Sequence, residues 1–125
     1  MPREGYLYLA CPYSHPNPVV RERRFNDVTV AAVHLMNQGH IVYSPITHSH
    51  PMATMAELPG DWSFWERYDR EFLRHAYAFA VLTLLGWQES KGIRAEMGIA
   101  IDLGIPVFDV DPNTYEMSPW TIENS

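Results

Sequence analysis

A single cysteine, Cys11, stands among the 125 residues. It excludes an intramolecular disulfide framework and a zinc site built from cysteines alone. Positive charge is scarce too: nine Lys and Arg against fifteen Asp and Glu leave a net charge of −6. Polymeric nucleic acid or an anionic membrane needs a basic face, so neither is expected as a partner, although a few local arginines suffice for a small anion. No apolar run nears the roughly twenty residues of a membrane span. The opening Met1-Pro2-Arg3-Glu4 does not look like a signal peptide, and the expectation is a cytoplasmic protein.

What is present points to one folded unit. The chain is 46% hydrophobic and 13% aromatic, rich enough to bury one core and too rich for disorder. Ten prolines are scattered at apparent element boundaries instead of forming a run. A single domain over residues 1–125 is expected.

The apolar run from Gly5 to Cys11 has no alternation and stops at Pro12, as a strand buried on both faces would. Pro12 to Pro18 is a loop. Asn17 then offers a cap with Pro18 at the first helical position, and Phe25, Val28, Ala32, Leu35 and Met36 space out a helix ending at Gly39. His40 to Ser44 is a second strand. Ile46 to Gly60 has no period and contains Pro51 and Pro59, so a long binding loop is expected there. Asp61, or Ser63 with Glu66 as a capping box, starts the next helix, with Trp65, Phe72 and Ala76 facing inward. Phe79 to Leu85 is a third strand and Gly86 to Gly92 a turn. A helix over Ile93–Leu103 and a strand over Ile105–Val110 complete the order. The polar tail beyond Pro112 carries Tyr115 and Trp120, suggesting an arm onto a second copy in a homo-oligomer.

Strands alternating with helices imply an α/β domain: a three-layer, flavodoxin- or Rossmann-like parallel sheet of about four to five strands with helices on both faces. Ligands then bind outside the carboxyl ends of the strands, where strand order reverses. The loops 11–18, 44–61 and 85–92 should meet there.

Glu96 falls near the start of the last helix, at the edge of its apolar face, where the helix dipole favours an ionised carboxylate. It suits attack on a sugar carbon, or an ordinary salt bridge with Lys91 or Arg94. Asp69 is surrounded by Glu66, Arg67, Arg70 and Glu71, and from composition alone sits on a solvated face. Arg21, Arg23 and Arg24 crowd a helix N-terminus against its dipole. An anion bound to Arg21 and Arg24 would relieve that cost, as would pairing with Glu22 or Asp27. His48-Ser49-His50, with His15, raises the question of zinc, but no carboxylate completes a known spacing. Loop histidines contacting a ligand, His48 first among them, or neighbouring carbonyls are the favoured reading, with no metal.

Ser90-Lys91-Gly92-Ile93-Arg94-Ala95-Glu96-Met97-Gly98 resembles the Ser-x-Gly-x-x-x-Glu-x-Gly signature of the nucleoside 2-deoxyribosyltransferase-like superfamily. Tyr6 to Ser14 is similar to that family's opening strand and loop, and Asp69 stands where it places an aspartate. The resemblance spans about residues 5–110. It implies a Glu96 nucleophile, Asp69 near the leaving base, and a substrate that is a small nucleoside or nucleotide, with no cofactor. Cys11, Tyr13, Ser14, Trp65, Ser90 and Gly92 would line the substrate site. Tyr13 and Trp65 (or Trp62) would stack on the base or merely fill the core. Hydrolysis, transfer to another acceptor, and ligand sensing without turnover all fit the motif.

Overall fold

The computed structural model describes residues 4–56, 58 and 62–120, with Trp62 described by its backbone alone. Five strands form one sheet in the order β2-β1-β3-β4-β5. They are β1 (Tyr6–Ala10), β2 (Val42–Tyr43), β3 (Ala76–Leu82), β4 (Val107–Val110) and β5 (Met117–Pro119). The first four are parallel and β5 is antiparallel to β4. Helices α1 (Pro18–Asn37), α2 (Pro45–Met55), α3 (Trp62–Arg74) and α4 (Lys91–Asp102) cover it. The expected three-layer α/β architecture is what the chain adopts.

The central strands are apolar at both parities because both faces are covered. Leu7, Leu9, Ala78, Ala80 and Leu82 pack against Val28, Ala31 and Leu35 of α1 and Ile46 of α2. Tyr8, Ala10, Phe79 and Val81 point the other way, onto Phe72 and Leu73 of α3 and Ile93, Ile99 and Ala100 of α4. From β1 the chain runs through α1 to β2 on one side, then returns through α2 and α3 to β3 on the other. Strand order therefore reverses at β1, which places the crevice beyond Ala10 and Leu82.

Several boundaries differ from the sequence expectation. Residues 45–55 form a helix, not a loop. Ser44 caps it, its Oγ accepting from the amides of Ile46 and Thr47, and Pro45 takes the first turn. The helix continues through Pro51, which costs one backbone hydrogen bond without ending it. β3 begins at Ala76, three residues earlier than its apolar run suggested, because its register with β1 starts at Tyr6↔Ala76. Ala76 is thus a strand residue, and Leu85 is 95% exposed beyond the sheet. Ser63 lies inside α3 instead of capping it, and Asp61 lies outside the described residues. Met36, counted on the inner face of the first helix by spacing, is exposed. Through residue 120 the tail is no free arm, since residues 117–119 pair with β4 and the Trp120 amide donates to the Val107 carbonyl. Among the described residues no helix is long and apolar enough to cross a membrane.

Candidate functional site

A cavity of about 1480 Å³ opens at the carboxyl ends of the strands. Its walls come from the loop after β1 (Cys11 to Ser14), the start of α1 (Pro18, Arg21, Glu22, Arg24), α2, α3 (Trp65, Asp69) and the turn into α4 (Leu85 to Glu96). Both helical layers contribute, so the cavity straddles the end of the sheet.

Glu96 lies on the buried stripe of α4 with Ile93, three residues before it, and Ala100, four after; it is 6% exposed. The Tyr8 hydroxyl donates to Glu96 Oε2 at 2.5 Å. Tyr8 is fully buried on β1, and its hydroxyl needs a partner there. Asp69 completes the group. Of the charged residues on its stretch of α3 it alone turns inward, 8% exposed, one turn before the fully buried Leu73. Asp69 lines the cavity beside this Tyr8–Glu96 pair, near enough for its charge to act on both partners.

Burial sets the electrostatics of this trio. Loss of solvent pushes the Glu96 carboxyl well above the usual carboxylate range; the neighbouring Asp69 charge pushes it further, and the Tyr8 hydroxyl pulls partly against both. Burial raises Asp69 as well, less so because Tyr8 and Glu96 pull against it. Two carboxyl groups this close cannot both ionise cheaply, so the pair holds a proton. Tyr8 is itself held well above its ordinary value, by burial first and then by the Glu96 charge. It stays a hydroxyl and acts as a fixed donor.

Removing that donor has a measurable consequence. Tyr8→Phe is expected to move the Glu96 titration to still higher pH, because the hydroxyl stabilises the carboxylate more than the acid. Carboxyl-selective NMR titration of both proteins checks this, and an unmoved or lowered Glu96 midpoint contradicts it.

The structure brings most of the expected residues together. Glu96, Asp69, Cys11, Tyr13, Ser14, Trp65, Ser90, Gly92, Arg21 and Arg24 all line the cavity. Ser90 is also the cap of α4, its Oγ accepting from the Ile93 amide, so the N-terminus of that helix opens into the cavity beside Gly92. Cys11 contributes a small buried wall and no reactive thiolate, since burial pushes its thiol far up. The Trp62 side chain lies outside the described residues.

His48 does not reach the cavity. Read as neighbours in a loop, His48 and His50 would share a site; on a helix, residues two apart face different ways. His48 is exposed, its ring near Tyr43 and Phe72 at 6.0 and 6.2 Å. His50 is the buried one, and it lines the cavity. His15 and Arg23 stand apart from the cavity lining, and His15 Nδ1 accepts from the Asn17 amide. Among the described residues no three His, Cys, Asp or Glu side chains come together as a metal-holding group.

Arg21 and Arg24 are anchored by carbonyl oxygens. Arg21 donates to the His15 carbonyl, and Arg24 to those of Ser14 and Leu85 at 3.1 and 3.3 Å. Glu22, a candidate partner for them by sequence, is instead bound to His50 Nε2 at 2.6 Å. Sequence reasoning passes over Tyr8, and it weighs His50 only among the loop histidines and Glu22 only as a partner for the arginines. Tyr8 could have been found as a hydroxyl embedded in an otherwise aliphatic strand; His50 and Glu22 required knowing that α2 is a helix.

No curated protein matches the sequence. A family model described as a domain of unknown function, DUF1937, matches residues 5–111, which runs from the start of β1 to the end of β4 and includes every cavity residue named above. The chain belongs to the DUF1937 family.

Proposed function

We propose that the protein cleaves or transfers the N-glycosidic bond of a nucleoside or nucleotide, with Glu96 as nucleophile and Asp69 as the acid that assists departure of the base. The observation that carries this reading is the buried, proton-sharing carboxyl pair lining a cavity large enough for a nucleotide. It is further supported by the resemblance of Ser90 to Gly98 to the nucleoside 2-deoxyribosyltransferase-like signature.

The chemistry follows from the shared proton. The proton rests on Glu96, the more strongly raised of the two, and passes to Asp69 before the chemistry. The Glu96 carboxylate so freed attacks the anomeric carbon, the carbon–nitrogen bond breaks, and the proton on Asp69 goes to the departing nitrogen. Tyr8 holds the other electron density of Glu96 and leaves one oxygen to react. The resemblance to the nucleoside 2-deoxyribosyltransferase-like signature implies the route through a covalent glycosyl-enzyme, with Glu96 forming the ester.

The test is incubation with a panel of nucleosides and nucleoside 5′-monophosphates, with free base followed by chromatography. Release of no base from any member overturns the reading. A second reading is also supported by the burial of Glu96: a carboxyl kept protonated donates to a ribose hydroxyl and makes a sensor without turnover. It predicts saturable binding and a thermal upshift, with every base retained over hours.

Arg21 and Arg24, held by carbonyls at the cavity wall, favour a phosphorylated ligand. Arg24→Ala is expected to raise KM for a 5′-monophosphate about tenfold or more, the loss of one charged hydrogen bond, with KM for the nucleoside unchanged. Equal changes in both would remove phosphate from the assignment.

A further inference from the structure

A second polar assembly lines the same cavity from the α1/α2 layer, and the carboxyl pair makes no use of it. His50 is 5% exposed, yet both ring nitrogens are engaged. Nε2 lies 2.6 Å from Glu22 Oε2, and Nδ1 lies 2.6 Å from the Tyr13 hydroxyl. Phe25 stacks on the imidazole at 4.3 Å and the Tyr13 ring meets its edge at 5.5 Å, so the ring is fixed in plane.

The partners fix the protons. An ionised carboxylate only accepts, so Nε2 carries the hydrogen and donates to Glu22. In the neutral imidazole Nδ1 is then an acceptor, and the Tyr13 hydroxyl donates to it. The phenolic oxygen, half-buried at the cavity wall, keeps its lone pairs for whatever enters. Carboxylate, imidazole and hydroxyl in this connectivity are the parts of a proton relay in which the third group orients the base.

We propose that Tyr13, backed by His50 and Glu22, is the general base that activates the acceptor in the second half-reaction. The proposal rests on the glycosyl-transfer reading and adds a residue to it. Water, or another hydroxyl acceptor, gives its proton to the Tyr13 oxygen while Tyr13 passes its own to His50 Nδ1. The acceptor oxygen bonds to the anomeric carbon, the ester bond to Glu96 breaks, and its electron pair returns to the Glu96 carboxylate. The imidazolium so formed is neutralised by Glu22, whose side chain is 56% exposed and hands the proton on to solvent. Burial holds the Tyr13 phenol above its ordinary value, with Arg21 pulling against it. Tyr13 therefore rests as the hydroxyl that the relay requires.

Tyr13→Phe removes a single oxygen and tests the step. With a substrate that the wild-type protein turns over, the variant is expected to release about one base per active site in a burst. It then falls about 100-fold or more below the wild-type steady rate, the usual range for a lost general base. Mass spectrometry should find the sugar accumulated on Glu96 in the variant. Glu22→Gln, a change at an exposed position, should slow the steady rate while sparing the burst. Wild-type turnover in Tyr13→Phe, or loss of its burst together with turnover, overturns the relay and leaves the Glu96 reading standing. Absence of base release from the wild-type protein overturns both.

Discussion

Glu96→Gln is expected to reduce base release by about 1000-fold or more, equivalent to about 4 kcal/mol of lost transition-state stabilisation. The amide keeps the shape of the acid and still accepts the Tyr8 hydroxyl, so the buried trio stays packed. What it lacks is the electron pair needed to form the ester. A Glu96→Ala variant would be a weaker test, because it leaves Tyr8 and Asp69 facing an unfilled space as well as removing the nucleophile. The measurement is free base released per enzyme at several pH values, with saturable substrate binding as the control that the cavity is intact. Glu96→Gln that binds and still releases base at more than a tenth of the wild-type rate would remove Glu96 as the nucleophile. Asp69→Asn should fall less for substrates whose base leaves readily and more for those whose base must be protonated, because its part is to supply a proton.

The uneven way this site could be read from sequence has a physical basis. β1, α1 and α4 announce themselves locally: an apolar run cut by Pro12, a cap followed by Pro18, and Ser90 ahead of a periodic stretch. Glu96 followed from that last periodicity, because the stripe Ile93, Glu96, Ala100 has one polar member. Asp69 shows the limit. On composition its neighbours make a solvated face, whereas its spacing to Trp65 and Leu73, four residues either way, puts it on the inner stripe of α3. α2 was hidden by Pro51 and weak amphipathicity, although Ser44-Pro45 repeats the cap-and-proline start of Asn17-Pro18. With α2 missed, the odd pairing of His48 and His50 could not be resolved, nor could Glu22 be assigned a partner. β5 is three residues long, an edge strand paired with β4 and packed on the core through Met117, so no local signal marks it. The contacts that matter most, Tyr8 to Glu96 and Tyr13 to His50, join residues 88 and 37 positions apart. They depend on the sheet order, which the single sequence does not contain.

The same burial that prepares the site should cost stability as the solution becomes alkaline. Burial raises both Glu96 and Asp69 in the folded protein above the ordinary carboxylate range. Below that range both states hold their protons and the folded site carries no penalty. As pH rises, the unfolded chain releases these protons first while the folded pair keeps at least one. The unfolded state is then favoured by the difference in bound protons, and stability falls until Glu96 itself ionises. Thermal midpoints are therefore expected to decline between about pH 5 and pH 8. Glu96→Gln should flatten most of that decline, leaving the smaller contribution of Asp69. At about pH 8 the variant is expected to melt about 4 °C or more above the wild-type protein, roughly 1 kcal/mol for a domain of this size. It should match the wild type near pH 5. The inactive protein would then be the more stable one, because the group that performs the chemistry is also the group the fold least tolerates as an anion. Wild-type midpoints that rise or stay level over that interval, or a Glu96→Gln slope as steep as the wild type's, would mean that Glu96 titrates normally and is not held by the fold as described.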